Sequence, residues 1–243
     1  MGGGIEIYNN NGVLQITDLF RNIQFVEKIT GIVLSQAWPS TLTPAWGYQQ
    51  IDLTPMANSL LALRCENGGW ISWEERYKIK VPYSGGDFHF EQEQLWIYGT
   101  RNAQVTLYRF QFTDIKPGNH FEIKNPAGEL VFSDSTATFM KVFGIFQGSR
   151  PALWYTDGNN YNIGTLSHSS AAKTAVASGN IAWHENRSYS SSLLTVGRQF
   201  FGFNSIGSTE SMYLLPKIYS DDSASYRRYN LHYNYLILDV TGL

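Results

Sequence analysis

The chain has 243 residues, a formal net charge of −2, 43% hydrophobic residues and only 16% charged residues. That balance excludes a disordered polyampholyte, and a longest basic run of Arg227-Arg228 excludes the gathered positive charge of a nucleic-acid binder. A single cysteine, Cys65, excludes internal disulfides and multi-cysteine metal sites, and no apolar run reaches the ~18 residues of a membrane-spanning helix.

Short apolar runs punctuated by Asn, Gly, Asp and Pro begin at the N-terminus. Met-Gly-Gly-Gly carries neither a basic segment nor an apolar run, so no secretory signal is expected and synthesis in a cytoplasm is. Ile5–Tyr8 and Val13–Ile16 flank Asn9-Asn10-Asn11-Gly12, which predicts two short strands around a tight turn. The same pattern returns 116 residues later. Glu6/Glu122, Ile7/Ile123, Asn9/Asn125, Gly12/Gly128, Leu14/Leu130, Asp18/Asp134 and Val26/Val142 are identical at that constant offset. In the second copy Asn125-Pro126-Ala127-Gly128 supplies the turn, and each copy continues into a third apolar strand, Ile23–Lys28 and Phe139–Phe143.

Further along, residues 35–50 are rich in Pro and Gly and read as a long loop. Trp70–Val81, Leu95–Gly99 and Gln104–Phe112 alternate as strands do, and the polar run Thr113–His120 ends where the repeat restarts. The reading is therefore an all-β chain of two antiparallel β-sandwich-like domains, 1–115 and 116–243, each opening with a related hairpin. In the second half, 167–180 (SHSSAAKTAVASGN) reads as a loop rather than a short helix. Leu193–Val196, Gln199–Phe203, Met212–Tyr219 and Tyr229–Val240 read as strands, and the last is apolar on both faces toward its end.

Catalytic signatures are missing. His89, His120, His168, His184 and His232 have no metal-binding spacing, and neither a nucleophile elbow nor a phosphate-binding loop occurs. Glu74, Glu75, Glu91, Glu93 and Glu185 are the carboxylates an acid–base hydrolase would draw on. Each is read as a solvent-facing charge on a strand or loop. No catalytic residue, metal or cofactor is expected, and the chain is read as a non-enzyme. Aromatic residues carry the binding potential: 15% of the chain, including 7 Trp. Trp38, Trp46, Trp154 and Trp183 are the candidates for an interface or for stacking on sugars.

The repeated unit, hydrophobic-x-hydrophobic-Tyr-Asn-x-x-Gly-x-Leu and then a further apolar strand, resembles small tail-tip proteins of long-tailed bacteriophages. The matching residues are Ile5–Tyr8, Asn9, Gly12, Leu14, Asp18 and Phe25-Val26, with Phe121–Ile123, Asn125, Gly128, Leu130 and Asp134 in the second copy. The resemblance covers two segments of about 22 residues and brings no catalytic residues with it. It implies a structural virion protein assembled in the host cytoplasm, attached to the central tail fibre or tip complex, and in three copies if it follows a trimeric fibre. It also implies one domain docked on the virion and one free to touch a host surface glycan or outer-membrane receptor. Nucleic-acid binding and membrane insertion are not expected. The alternatives are a carbohydrate-binding module and, behind it, a β-rich glycoside hydrolase.

Overall fold

The structure is a computed structural model that describes residues 6–8, 10, 12, 14–17, 23–37, 46–56, 59–80, 89–112, 114–115, 117–118, 120–134, 139–149, 162–167, 173–180, 183–190, 193–206, 209–220, 227–230 and 232–243. Among them are strands and one three-residue 3₁₀ turn, Thr54–Met56. The first half contributes β1 (Glu6–Tyr8), β2 (Leu14–Thr17), β3 (Gln24–Val33), β4 (Gln36–Ala37), β5 (Trp46–Asp52), β6 (Leu60–Cys65), β7 (Trp70–Lys80), β8 (His89–Thr100) and β9 (Gln104–Gln111). The second contributes β10 (Glu122–Lys124), β11 (Leu130–Ser133), β12 (Lys141–Ser149), β13 (Asn162–Ser167), β14 (Thr174–Asn180) and β15 (Trp183–Ser190). It ends with β16 (Leu193–Ile206), β17 (Thr209–Ser220), β18 (Arg227–Asn230) and β19 (His232–Asp239). Every pairing is antiparallel, and the all-β class stands.

Both copies of the repeated segment form the same hairpin. In the first, Glu6 faces Thr17, Ile7 faces Ile16 and Tyr8 faces Leu14, with a bulge between Ile7 and Tyr8. In the second, Glu122 faces Ser133, Ile123 faces Phe132 and Lys124 faces Leu130, with the bulge at the same step. Every partner differs by 116. The turns need a left-handed residue, and Gly12 (φ 73°) and Gly128 (φ 84°) supply it.

After the hairpins the halves do not fold apart in space: both build the same two sheets. The six-stranded sheet runs β12-β19-β14-β6-β9-β3, and the larger one runs β13-β17-β16-β7-β8-β5-β4, with β15 and β18 beside β16. Along the chain β3, β5, β6, β7, β8 and β9 visit the two sheets in the same order as β12, β13, β14, β16, β17 and β19. The matching strands lie symmetrically about the middle of each sheet, as the registers show. At the centre of the smaller sheet Val176 pairs with Leu63 and Ala177 with Ala62, so relating 62 to 176 and 63 to 177 turns one pair into the other. Phe203–Ile71 and Asn204–Trp70 do the same at the centre of the larger sheet. The outer ends of the small sheet also meet symmetrically. Gln24 bridges Phe139, and the Met140 N–H donates to the Ile23 carbonyl at 2.9 Å, so the sheet curls closed there. The fold is an internal pseudo-dimer.

Period-two patterning places the core. Leu61, Leu63, Cys65, Val105, Leu107, Val176, Tyr235 and Ile237 face the larger sheet and pack with Ile71, Trp73, Leu95 and Ile97. Their neighbours Ala62, Tyr108, Phe110, Ala175, Ala177, Leu238 and Val240 fill the inside of the curl. Strands of the smaller sheet are thus buried on both faces, which is why Tyr235–Val240 carries apolar residues at almost every position. The segment expected to be a loop, 167–180, holds β14 at the centre of this sheet. Ala175 and Ala177 are fully buried there, at 1% and 0% exposure, and a seam packed on both sides has room for small side chains. Likewise the long loop expected at 35–50 contains β4 and the start of β5. β5 lies beside β8, where the Leu34 carbonyl closes so tightly on Gly47 that no Cβ would fit.

Candidate binding surfaces

On β5 and β8 the side chains of Tyr48, Gln50, Trp96 and Tyr98 lie on the face opposite Ile51, Leu95 and Ile97. Cross-strand register sets Gln50, Trp96 and Glu74 in one row across β5, β8 and β7, and Tyr48, Tyr98 and Ser72 in the next. The Tyr48 and Trp96 rings stack with centroids 5.7 Å apart and planes 8° from parallel, and Tyr98 lies 6.3 Å from Trp96. The Trp96 Nε1–H donates to Gln94 Oε1 at 3.0 Å, which fixes the indole. Tyr48, Trp96, Gln50 and Gln94 are half-buried, while Tyr98 and Ser72 are buried. Half-exposed aromatic rings among planar amides can stack on a ligand face and hydrogen-bond its rim.

Of the four tryptophans singled out, Trp38 and Trp154 lie outside the described residues. Trp46 opens β5 opposite Thr100, at the register position two residues before Tyr48. Trp183 opens β15 opposite Asn230. Loop-like composition marks Trp38 and Trp46 in the sequence. The signal that would have found the Tyr48–Trp96 stack is period-two alternation in β5 and β8, since Leu95 and Ile97 face inward and Trp96 must face out.

Between the sheets, at the β3 edge, is a groove of about 350 Å³ lined by Thr30, Gly31, Ile32, Val33, Ser35, Gln49 and Ile51. Gly31 (φ 77°) sits in a bulge where the β3–β9 register skips from Ile29 to Ile32. The lining offers hydroxyls and one amide but no ionisable side chain, so it has no group for acid–base catalysis. Among the described residues no cluster of three or more His, Cys, Asp or Glu could hold a metal. His120 Nδ1 lies 3.1 Å from Asp134 Oδ2, whose carboxylate also accepts the His120 backbone N–H, and this ties the approach to the second hairpin. Cys65 is buried, and burial pushes its thiol above the ordinary range, opposite to what a nucleophile needs. Exposed apolar side chains include Ile7 and Tyr8 on the first hairpin, Phe112 and Phe121 around the second, and Ile145 on β12.

By architecture this is an antiparallel all-β sandwich-like protein with an internal duplication. No protein-family model, no curated protein and no solved structure matches the chain.

Proposed function

We propose that the chain is a structural component of a bacteriophage tail tip, attached to the central tail fibre or tip complex and not an enzyme. The observation that carries this reading is the doubled hairpin with its strand continuation, the element on which the resemblance to small tail-tip proteins rests. Exposed Ile7, Tyr8, Phe112, Phe121 and Ile145 support it, since apolar side chains outside the core suit a surface committed to neighbours. Mass spectrometry of purified virions and antibody labelling in electron micrographs test it. The expected result is the protein at the distal end of the tail; its absence from virions would sink the reading.

A second reading, binding of a host-surface carbohydrate, is favoured by the Tyr48–Trp96 stack beside Gln50 and Gln94. The two readings are compatible, because a tail-tip protein can itself hold sugar. A glycan array with the parent chain and its Trp96→Ala, Trp46→Ala and Trp38→Ala variants separates them. No binding by the parent removes the carbohydrate reading and leaves the tail-tip reading intact.

A further inference from the structure

The smaller sheet has two outer strands, β3 and β12, one from each half. An outer strand offers a row of backbone N–H and C=O groups to any extended chain that reaches it, and folds guard such edges with bulges, charges or cover. These two edges are guarded unequally. On β3 the register skips twice, between Phe25 and Glu27 and between Ile29 and Ile32, and Gly31 in the second skip has φ 77°. Glu27 and Lys28 add charge between the skips, and Lys28 is exposed. β12 skips once, between Val142 and Gly144, and then runs without interruption. Gly144 pairs with Ile237, and the register holds step by step as far as Ser149 with His232. Residues 144–149 read Gly-Ile-Phe-Gln-Gly-Ser, with no charge and no proline.

That run is open on its other side. The contacts that close the curl, Gln24 with Phe139 and Ile23 with Met140, end before β12 begins. Among the described residues β12 is paired as a strand with β19 alone. Ile145 is 47% exposed, Gln147 is exposed, and so is Gly148, whose accessible surface can only be backbone. Ile145 stands opposite Leu236, which packs on the cluster inside the curl. An apolar side chain therefore sits at the open rim of the curl, on an uncharged and regular strand. The equivalent edge of the first half is bulged and charged, so the fold has a means of closing such an edge and does not use it on β12.

What such an edge accepts is another strand. The molecule already joins its related halves in this way: β6 pairs antiparallel with β14 across the pseudo-two-fold and makes one sheet out of two halves. We propose that residues 144–149 pair antiparallel with the same residues of a second copy of the chain, joining two six-stranded sheets into one. The contact is isologous, so it closes at two copies. A two-fold axis perpendicular to the sheet sets one residue of the run opposite its own copy. Centred on Phe146, it puts Ile145 opposite Gln147 and Gly144 opposite Gly148, so no like charges meet. Both Ile145 side chains then lie on one face of the joined sheet, each beside Gln147 of the other copy. Such a dimer is independent of the tail-tip reading, and either can fail without the other.

Sedimentation velocity of the full chain from about 1 to 500 μM tests it, because one strand pair is a small interface and should dissociate at micromolar concentrations. Monomer passing to dimer as the concentration rises is the expected result. Ile145→Lys puts on this edge the kind of charge that guards β3, and is expected to weaken dimerisation by about tenfold or more. Since Ile145 is half in water, the thermal midpoint of the monomer should move by no more than about 2 °C. Val33→Lys, at a 37% exposed position on β3, should leave dimerisation as it is. Amide hydrogen exchange gives a readout that needs no substitution. Exchange at residues 144–149 should slow as the dimer forms, while exchange along β3 should not change. If Ile145→Lys fails to fold, the exchange measurement decides alone. The proposal is overturned by a monomer over the whole range, by assembly into three or more copies, or by a dimer that a folded Ile145→Lys leaves intact. An equal loss in Val33→Lys, or unchanged exchange at 144–149, also overturns it.

Discussion

Tyr108 shows how one burial event fixes both packing and chemistry. Its ring is 1% exposed inside the curl, with Phe25 6.5 Å away and the Lys28 ammonium 5.6 Å from the ring centroid. Burial, and then the negative charge of Glu66, push its phenol from 10.0 up to about 12, against a smaller lowering by Arg64. A raised pKa means the folded state holds its proton more tightly than the unfolded one. The resulting stability is fully present below pH about 10 and is lost as pH rises toward about 12. Urea midpoints measured from pH 8 to 12 should fall over that window, and the fall should be shallower in Tyr108→Phe. An unchanged alkaline slope would refute the assignment. Space at two glycines gives a second expectation. A Cβ at Gly99 would collide with the Trp70 carbonyl and come within 2.9 Å of Leu34 Cδ1, and one at Gly47 would meet the Leu34 carbonyl. Because backbone atoms cannot rotate aside, Gly99→Ala and Gly47→Ala should each cost about 1–3 kcal/mol or more in denaturant unfolding. A cost below about 0.5 kcal/mol in both would show that Leu34 and the Trp70 carbonyl approach these glycines less closely than described.

Identical register and an identical bulge survive in two segments that share only some side chains, because the turn glycine and the alternating pattern set the pairing. Nothing lies within 4 Å of a Cβ built on Gly12 or Gly128, so substitution there is penalised by backbone conformation alone. Gly128→Ala should cost about 1 kcal/mol, read from the thermal midpoint. Neutrality would mean that the turn is not left-handed. β14 carries the least local strand signal of the smaller sheet. Its Thr-Ala-Val-Ala-Ser run mixes helix-favouring Ala with strand-favouring Thr and Val and gives no clear local signal, but it pairs with β6 and β19 in the middle of a sheet. Leu60–Cys65 holds the same place in the first half. Both are central strands buried on two faces, where alternation disappears.

At the scale of the molecule, the pseudo-two-fold makes the halves mutually dependent. Each sheet has its seam between one strand from each half, β6 against β14 and β7 against β16. Separating residues 1–115 from 116–243 would break both seams and expose Leu63, Val105 and Leu107 opposite Val176, Tyr235 and Ile237. Apolar surface of that extent is worth about 1.5–3 kcal/mol per large side chain, more than a domain's net stability once several are exposed. The intact chain should unfold in a single calorimetric transition, and either half alone should be unfolded or self-associated. A monomeric half with a cooperative melt would contradict the shared-sheet architecture.

The all-β class, the two related starts and the turn positions could be read from the chain, because alternation and turn glycines act over a few neighbouring residues. The tail-tip resemblance also rests on those local features. Tertiary structure alone decided that the related halves share their sheets, since a seam such as Ala62 against Ala177 joins residues 115 positions apart. It decided the binding candidates for the same reason. Tyr48 reaches Trp96 through register between strands distant in sequence. Local patterning selects strands; the burial of both faces of the smaller sheet selects how they pair.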